Sequence, residues 1–225
     1  MKGKIFSLCF FSILLLGVCV ALLFRFTRKT IVLTTESLAA YTIYLSEDSV
    51  EKENERREYN RPDALESASE LILFATPTGS RRMKEGYVES QVVVNRVVKG
   101  NMSIEGDRLS VLEPASFHDT KKGGRWYSGQ PHYAIMMAER EYLLFLSLRE
   151  FPEGYKRTAD DMSYLIKGGC WGKYAAEKWP EPSLDVLQAG VSCTYADLMY
   201  AEIITTNDEI MTEYLEWKNY FLTRW

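Results

Sequence analysis

The sequence predicts a mainly β fold: a small, mostly antiparallel barrel with a C-terminal α-helix, preceded by one transmembrane helix. Three observations predict it. An uncharged apolar run of 20 residues lies near the N-terminus, short apolar segments bounded by Gly and Pro follow one another through the middle, and the apolar period turns helical only after residue 207. The chain has 225 residues, 46% hydrophobic and 26% charged. That composition excludes a wholly disordered chain, a collagen-like repeat and a polytopic membrane protein. The net charge of −4 argues against a protein that holds nucleic acid by charge alone. It is also the difference between two unlike parts. Residues 1–29 carry five basic residues and no acid, whereas the rest carries 22 basic against 31 acidic residues, a net of −9.

The apolar run, residues 5–24 (IFSLCFFSILLLGVCVALLF), would rise about 30 Å as a helix, one hydrocarbon thickness. Basic residues flank it on both sides. A cleaved signal peptide would have an apolar core of only about 7–15 residues, and a cut after Ala21 would fall inside the run. Leu16-Gly17-Val18-Cys19 resembles a lipobox, but Val18 stands where a small residue is wanted. The expectation is an uncleaved single-pass anchor in the cell membrane, with the bilayer as partner through residues 5–24. Lys2 and Lys4 nearly balance Arg25, Arg28 and Lys29 across the span. The lack of a second span and the acidic, Tyr-rich body point to an extracytoplasmic body. Three segments follow: 1–29, an anchor with basic flanks; 30–63, a partly apolar segment and charged linker; and 64–225, the ectodomain.

Residues 30–46 are rich in β-branched side chains and suit either a strand on the body or a continuation of the anchor. Residues 47–63 are a charge run read as a solvated linker, with Pro62 breaking any helix. ELILFAT (70–76) is a short strand before Pro77 and Gly79. YVESQVVVNRVV (87–98) sets Val88, Val92, Val94 and Val98 on one face and is long enough to need a bend or bulge. Lys99-Gly100-Asn101 is a turn, and 107–113 is a strand closed by Pro114. Residues 116–131, with Lys121 and Lys122, form a long surface loop. Residues 132–137 read as a short apolar strand, 141–148 as the strongest buried strand, and 164–167 as a strand before the Gly168-Gly169 turn. Near the end, Ile210, Tyr214, Trp217 and Phe221 make a helical stripe facing the barrel. Thr206 as N-cap and Glu209 at N3 fit a capping box.

Three stretches carry a resemblance. They are Ser69-Glu70-Leu71-Ile72-Leu73-Phe74-Ala75, Gln91-Val92-Val93-Val94-Asn95-Arg96-Val97-Val98-Lys99-Gly100, and Glu139-Arg140-Glu141-Tyr142-Leu143-Leu144-Phe145-Leu146. Over residues 65–175 this order resembles small membrane-anchored or secreted ectodomains of Gram-positive bacteria. These are similar to OB-like barrels of the netrin/tissue-inhibitor-of-metalloproteinase kind. The chain departs at Glu70, where Asp is usual, and at Ala75, where Gly is usual. The resemblance implies an OB-like barrel and brings no catalytic residues with it.

The most enzyme-like string is Gly168-Gly169-Cys170-Trp171-Gly172. A thiolate there would need a histidine, and His118 and His132 precede Cys170 by 52 and 38 residues. No complete signature forms, so no catalytic residue is assigned. Cys170 and Cys193 could instead close a disulfide loop of about 22 residues worth roughly 3 kcal/mol, or be two unrelated buried thiols. With two histidines and neither CxxC nor HExxH, no metal is expected, although His118-Asp119 could offer two ligands. No phosphate-cradling loop is present and no cofactor is expected. Arg81, Arg82 and Lys84, and Lys121, Lys122 and Arg125, are basic clusters of the kind an oligonucleotide-binding barrel uses. The body's net −9 argues against nucleic acid. Asn101-Met102-Ser103 matches an N-glycosylation acceptor, which a bacterial origin would make irrelevant. Trp126, Tyr127, Tyr133, Trp171 and Tyr174, with Trp179, either line a rim that binds a sugar or a protein, or plug the barrel end. The expected function is a membrane-anchored extracytoplasmic interaction module without catalysis, its partner an envelope protein or a glycan. An inhibitor-like module acting on an envelope protease, or a thiol enzyme centred on Cys170, are the alternatives.

Overall fold

A computed structural model describes residues 13–20, 32–44, 59–84, 86–120, 124–130, 132–158, 161–177, 192–198 and 200–225. The chain divides into two units, Met1–Ile31 and Val32–Trp225. In the first, residues 13–20 are helical, with Ile13, Leu14, Leu15 and Leu16 exposed. The remainder of the expected 5–24 span lies outside the described residues. Among the described residues, no helix is long and apolar enough to cross a membrane.

The second unit is mainly β, with two sheets and a C-terminal helix. Its elements in chain order are α1 (Thr35–Ala39), β1 (Thr42–Tyr44), α2 (Pro62–Ala68), β2 (Leu71–Lys84), β3 (Tyr87–Lys99), β4 (Arg108–Glu113), β5 (Ala115–Asp119), β6 (Arg125–Gly129), β7 (Tyr142–Leu148), β8 (Tyr164–Ile166), β9 (Lys173–Ala175), β10 (Ser192–Thr194), α3 (Tyr195–Leu198) and α4 (Asp208–Arg224). The larger sheet runs β2-β3-β4-β8-β7-β9, and β7 also pairs with β2. Five strands therefore hydrogen-bond in a cycle: β2 to β3, β3 to β4, β4 to β8, β8 to β7, and β7 back to β2. All of these pairings are antiparallel except β4–β8. The smaller sheet runs β10-β1-β6-β5.

Bulges let the long β2–β3 ribbon take part in that cycle. Against β2, Val98 and Asn95 are extra residues on β3, and on β2 the three residues 78–80 face Gln91 alone, a surplus of two. Asn95 Nδ2 donates to Thr76 Oγ1 (2.9 Å) and Glu141 Oε1 (2.6 Å), and Thr78 Oγ1 donates to the Gln91 carbonyl (3.2 Å). Each extra residue reverses the inward and outward phases. Hence Val88, Val92 and Val94 are buried as expected, but Val97 rather than Val98 continues the inward row.

Several expectations are corrected. The strand expected at 70–76 does not stop before Pro77 and Gly79: β2 continues to Lys84, accommodating both where residues 78–80 bulge against Gln91. Pro62 opens α2 instead of breaking a helix, because proline's fixed φ and missing N–H suit a first turn. The loop expected at 116–131 is instead largely an antiparallel ribbon, β5 pairing with β6 over 115–119 and 125–129. Residues 132–137 are not a strand. Only Tyr133 makes a bridge, to Ile203. The cap of α4 is Asn207, whose side chain accepts from Glu209 N and Ile210 N, so the capping box at Thr206 does not form. Residues 32–44 pack on the body, with β1 between β10 and β6.

Helix α4 buries Ile210, Met211, Tyr214, Trp217 and Phe221, one helical stripe. Phe221 lies 4.5 Å from Phe145 and 5.5 Å from Tyr174 (ring centroids), and Trp217 lies 5.0 Å from Trp171. Each such aromatic contributes roughly 1.5–3 kcal/mol by burial. The other end of α4 is tied to α2 by Tyr220 to Asp63 (2.9 Å) and Arg224 to Glu66 (2.7 Å).

The turn that brings β9 under α4 is Gly-dependent. Gly168 and Gly169 both have positive φ, 67° and 60°. A Cβ on Gly172 would overlap the Lys167 carbonyl oxygen, a backbone atom that cannot swing away. Gly172→Ala should lower unfolding free energy in a denaturant melt by about 3 kcal/mol or more. Gly86→Ala, at φ 85° in open space, should cost only about 1–2 kcal/mol of backbone strain.

Candidate functional site

Two constellations carry the polar chemistry of the body. One is interior. The segment 132–137 runs through the core with Tyr133, Ala134, Ile135 and Met136 all at most 3% exposed. A backbone buried without strand partners needs hydrogen bonds from elsewhere. Backbone groups serve its start, Tyr133 N donating to the Gln130 carbonyl (3.1 Å) and Ile204 N to the His132 carbonyl (2.9 Å), and side chains serve the residues beyond. The fully buried Glu113, at the end of β4, accepts from Met136 N (2.6 Å), Tyr133 OH (2.8 Å) and Ser90 Oγ. Arg81 on β2 donates to the Met136 carbonyl, and Tyr127 OH donates to the Tyr133 carbonyl. Met137 N donates to Tyr142 OH (2.9 Å). Lys173 on β9, also fully buried, donates to the Ala134 carbonyl (2.6 Å) and the Glu202 carbonyl (3.0 Å).

The network extends to α4. Glu202 accepts from Ala175 N (2.6 Å) and from Lys218 Nζ (2.5 Å), and Tyr214 OH donates to the Lys173 carbonyl (2.8 Å). Burial pushes the Lys173 ammonium down to about 8, although Glu113 and Glu202 pull the other way. Burial pushes the Tyr133 and Tyr214 phenols well above their ordinary value, reinforced by Glu113 and Glu202 respectively.

The second constellation is exposed, on the outer face of the smaller sheet. Trp126 on β6 is 44% exposed and stacks on the His118 ring of β5 at 4.1 Å and 18°. His118 Nε2 lies 2.6 Å from Ser116 Oγ. On the inner face, Phe117 packs on Tyr41 (4.8 Å), Tyr127 (5.2 Å) and Tyr195 (5.5 Å).

The five aromatics singled out in the sequence are therefore not one rim. Tyr133, Trp171 and Tyr174 are buried at 1%, 7% and 0% exposure, and Tyr127 is half-buried with its hydroxyl on the Tyr133 backbone. Trp171 and Tyr174 pack under α4. Trp126 alone of the five offers an exposed ring; Trp179 lies outside the described residues. Cys170 is buried in the 3-10 turn after β8, and Cys193 is half-buried on β10. The structure draws no bond between the two sulfurs. His132 Nδ1 donates to the Ile204 carbonyl (3.0 Å). Of the first basic cluster, Arg81 is buried, and Arg82 and Lys84 both bind Glu89. Burial alone would raise the Glu89 carboxyl, but those two cations hold it below its ordinary value. Lys121 and Lys122 lie outside the described residues. Among the described residues, no group of His, Cys, Asp and Glu could hold a metal ion.

Sequence reasoning missed Glu113, Lys173 and Glu202. One signal was present: Glu113 continues the inward phase of Leu109 and Val111. Comparison with family models, curated proteins and solved structures finds no match.

Glu113→Leu strands three donors and should cost about 3–5 kcal/mol in a denaturant melt, whereas Tyr133→Phe removes one bond and should cost about 1 kcal/mol. The Lys173 shift has a definite sign. Its folded pKa lies below the unfolded 10.5, so above pH 8 the unfolded chain holds more protons and stability rises with pH. Stability should climb from about pH 8 to 10 and then fall as tyrosines of the unfolded chain ionise. Lys173→Met should flatten the climb and leave the fall.

Proposed function

We propose that the chain is a membrane-anchored, extracytoplasmic binding module built on an OB-like barrel, without catalysis. The cyclic pairing of β2, β3, β4, β8 and β7 supports the barrel. It is a five-stranded arrangement in which only β4 and β8 run parallel, and β5–β6 is an insertion before the fourth strand. The kinship with netrin/tissue-inhibitor-of-metalloproteinase-like ectodomains rests on the same order together with the three quoted stretches. The anchor rests on the uncharged 20-residue run and its basic flanks.

The observation that carries the binding reading is how the buried ionisable groups are used. Glu113, Arg81 and Lys173 each hydrogen-bond to the 132–137 backbone and are at most 5% exposed. Their charge serves the scaffold. Cys170, the one enzyme-like residue of the sequence, is 2% exposed. Turned outward instead is the single Trp126 indole, stacked on His118.

Protease added to intact cells should degrade the body of the tagged full-length protein, and crosslinking in those cells should capture a specific envelope component. A body protected until lysis contradicts the location, and a folded protein that captures nothing contradicts the binding role.

A further inference from the structure

The outer face of the smaller sheet holds one continuous cross-strand row. Register places His118 of β5 opposite Trp126 of β6, Trp126 beside Thr42 of β1, and Thr42 opposite Thr194 of β10. Paired residues project from the same face, so imidazole, indole and two hydroxyls stand in line across about 14 Å. Trp126, Thr42 and Thr194 are exposed, as is Ser128 two residues along β6 from Trp126.

The row is rigid where it matters. Trp126 is held by the stack on His118, and the imidazole is in turn held by Ser116. Presenting the indole therefore costs little side-chain entropy on binding. The charge of the face selects the partner. The row carries no ammonium or guanidinium. Its far end is acidic, because Asp197 accepts from Thr194 N (2.9 Å) and Thr194 Oγ1 (2.7 Å), and the body as a whole is −9. The row thus offers a polyanion no cation to pair with, and the Arg125 guanidinium beside it is turned to Asp119 (3.6 Å). A flat line of one aromatic plane, hydroxyls and a hydrogen-bonding carboxylate is complementary to an uncharged chain with apolar ring faces and hydroxyl edges.

We propose that this row is a binding site for a neutral, extended polysaccharide, with the Trp126 indole stacking on a sugar ring and His118, Ser128 and Thr42 bonding its hydroxyls. The site lies on the inserted ribbon and the N-terminal strand, outside the five-strand cycle, and it rests on the binding-module reading above.

The test uses the full chain in detergent with chitohexaose and cellohexaose as probes, read by quenching of tryptophan fluorescence and by calorimetry. Wild type should bind at least one of them. Trp126→Ala should weaken that binding by about tenfold or more with an unchanged melting temperature, and Thr42→Val by a few-fold. Trp225→Phe, far from the row in sequence and packed on Phe221, should bind as wild type does. Binding that survives Trp126→Ala, or no binding to either probe by folded wild type, overturns the site. Crosslinking in cells to a protein that Trp126→Ala does not release overturns the site while leaving the binding-module reading standing.

Discussion

A stretch of chain that enters a protein interior without joining a sheet or helix brings unpaired N–H and C=O groups with it. Each costs roughly 1–3 kcal/mol unless something answers it. Residues 132–137 are such a stretch, and much of the body is arranged around answering them. The side chains that do so come from β2, β4, β6, β7 and β9, so the segment ties elements far apart in sequence. Glu113 and Lys173 are buried because each bonds this backbone. A charged group makes stronger hydrogen bonds than a neutral one, and both ends of the segment need donors and acceptors in a space that holds no second strand.

The same network explains the position of α4. Tyr214 bonds the Lys173 carbonyl, and Lys218 meets Glu202, whose own carbonyl receives Lys173. Polar contacts thus set the register of the helix over β9, and the Trp217, Tyr214 and Phe221 stripe supplies most of the burial energy. The two contributions differ in kind: aromatic burial is large and tolerant of small shifts, and the hydrogen bonds are small and intolerant of them.

What the sequence made legible follows local physics. The strands β3, β4, β7 and β8 and the first half of β2 were readable from alternating or continuous apolar runs, and α4 because its period changes; the second half of β2, which runs on through Pro77 and Gly79 to Lys84, was not. What failed depends on distant partners. The 116–131 stretch looked like a loop because β6 (RWYSG) is exposed at four of its five positions and so lacks a buried phase. The 132–137 stretch looked like a strand because it is apolar, and nothing local tells a paired backbone from one served by side chains. The five aromatics looked alike, yet in β6 the sheet register turns Trp126 outward and its neighbour Tyr127 inward against Phe117. One extra residue in β3, Asn95, moved the inward role from Val98 to Val97 and could not be counted without β2 beside it.

Native-state hydrogen exchange at the Met136 and Met137 amides tests the central account most directly. If Glu113 and Tyr142 hold these two N–H groups as described, both should exchange only through global unfolding, with the same opening free energy as amides in the middle of β7. Exchange at the rate of a surface loop, in a body whose β7 amides stay protected, would contradict it.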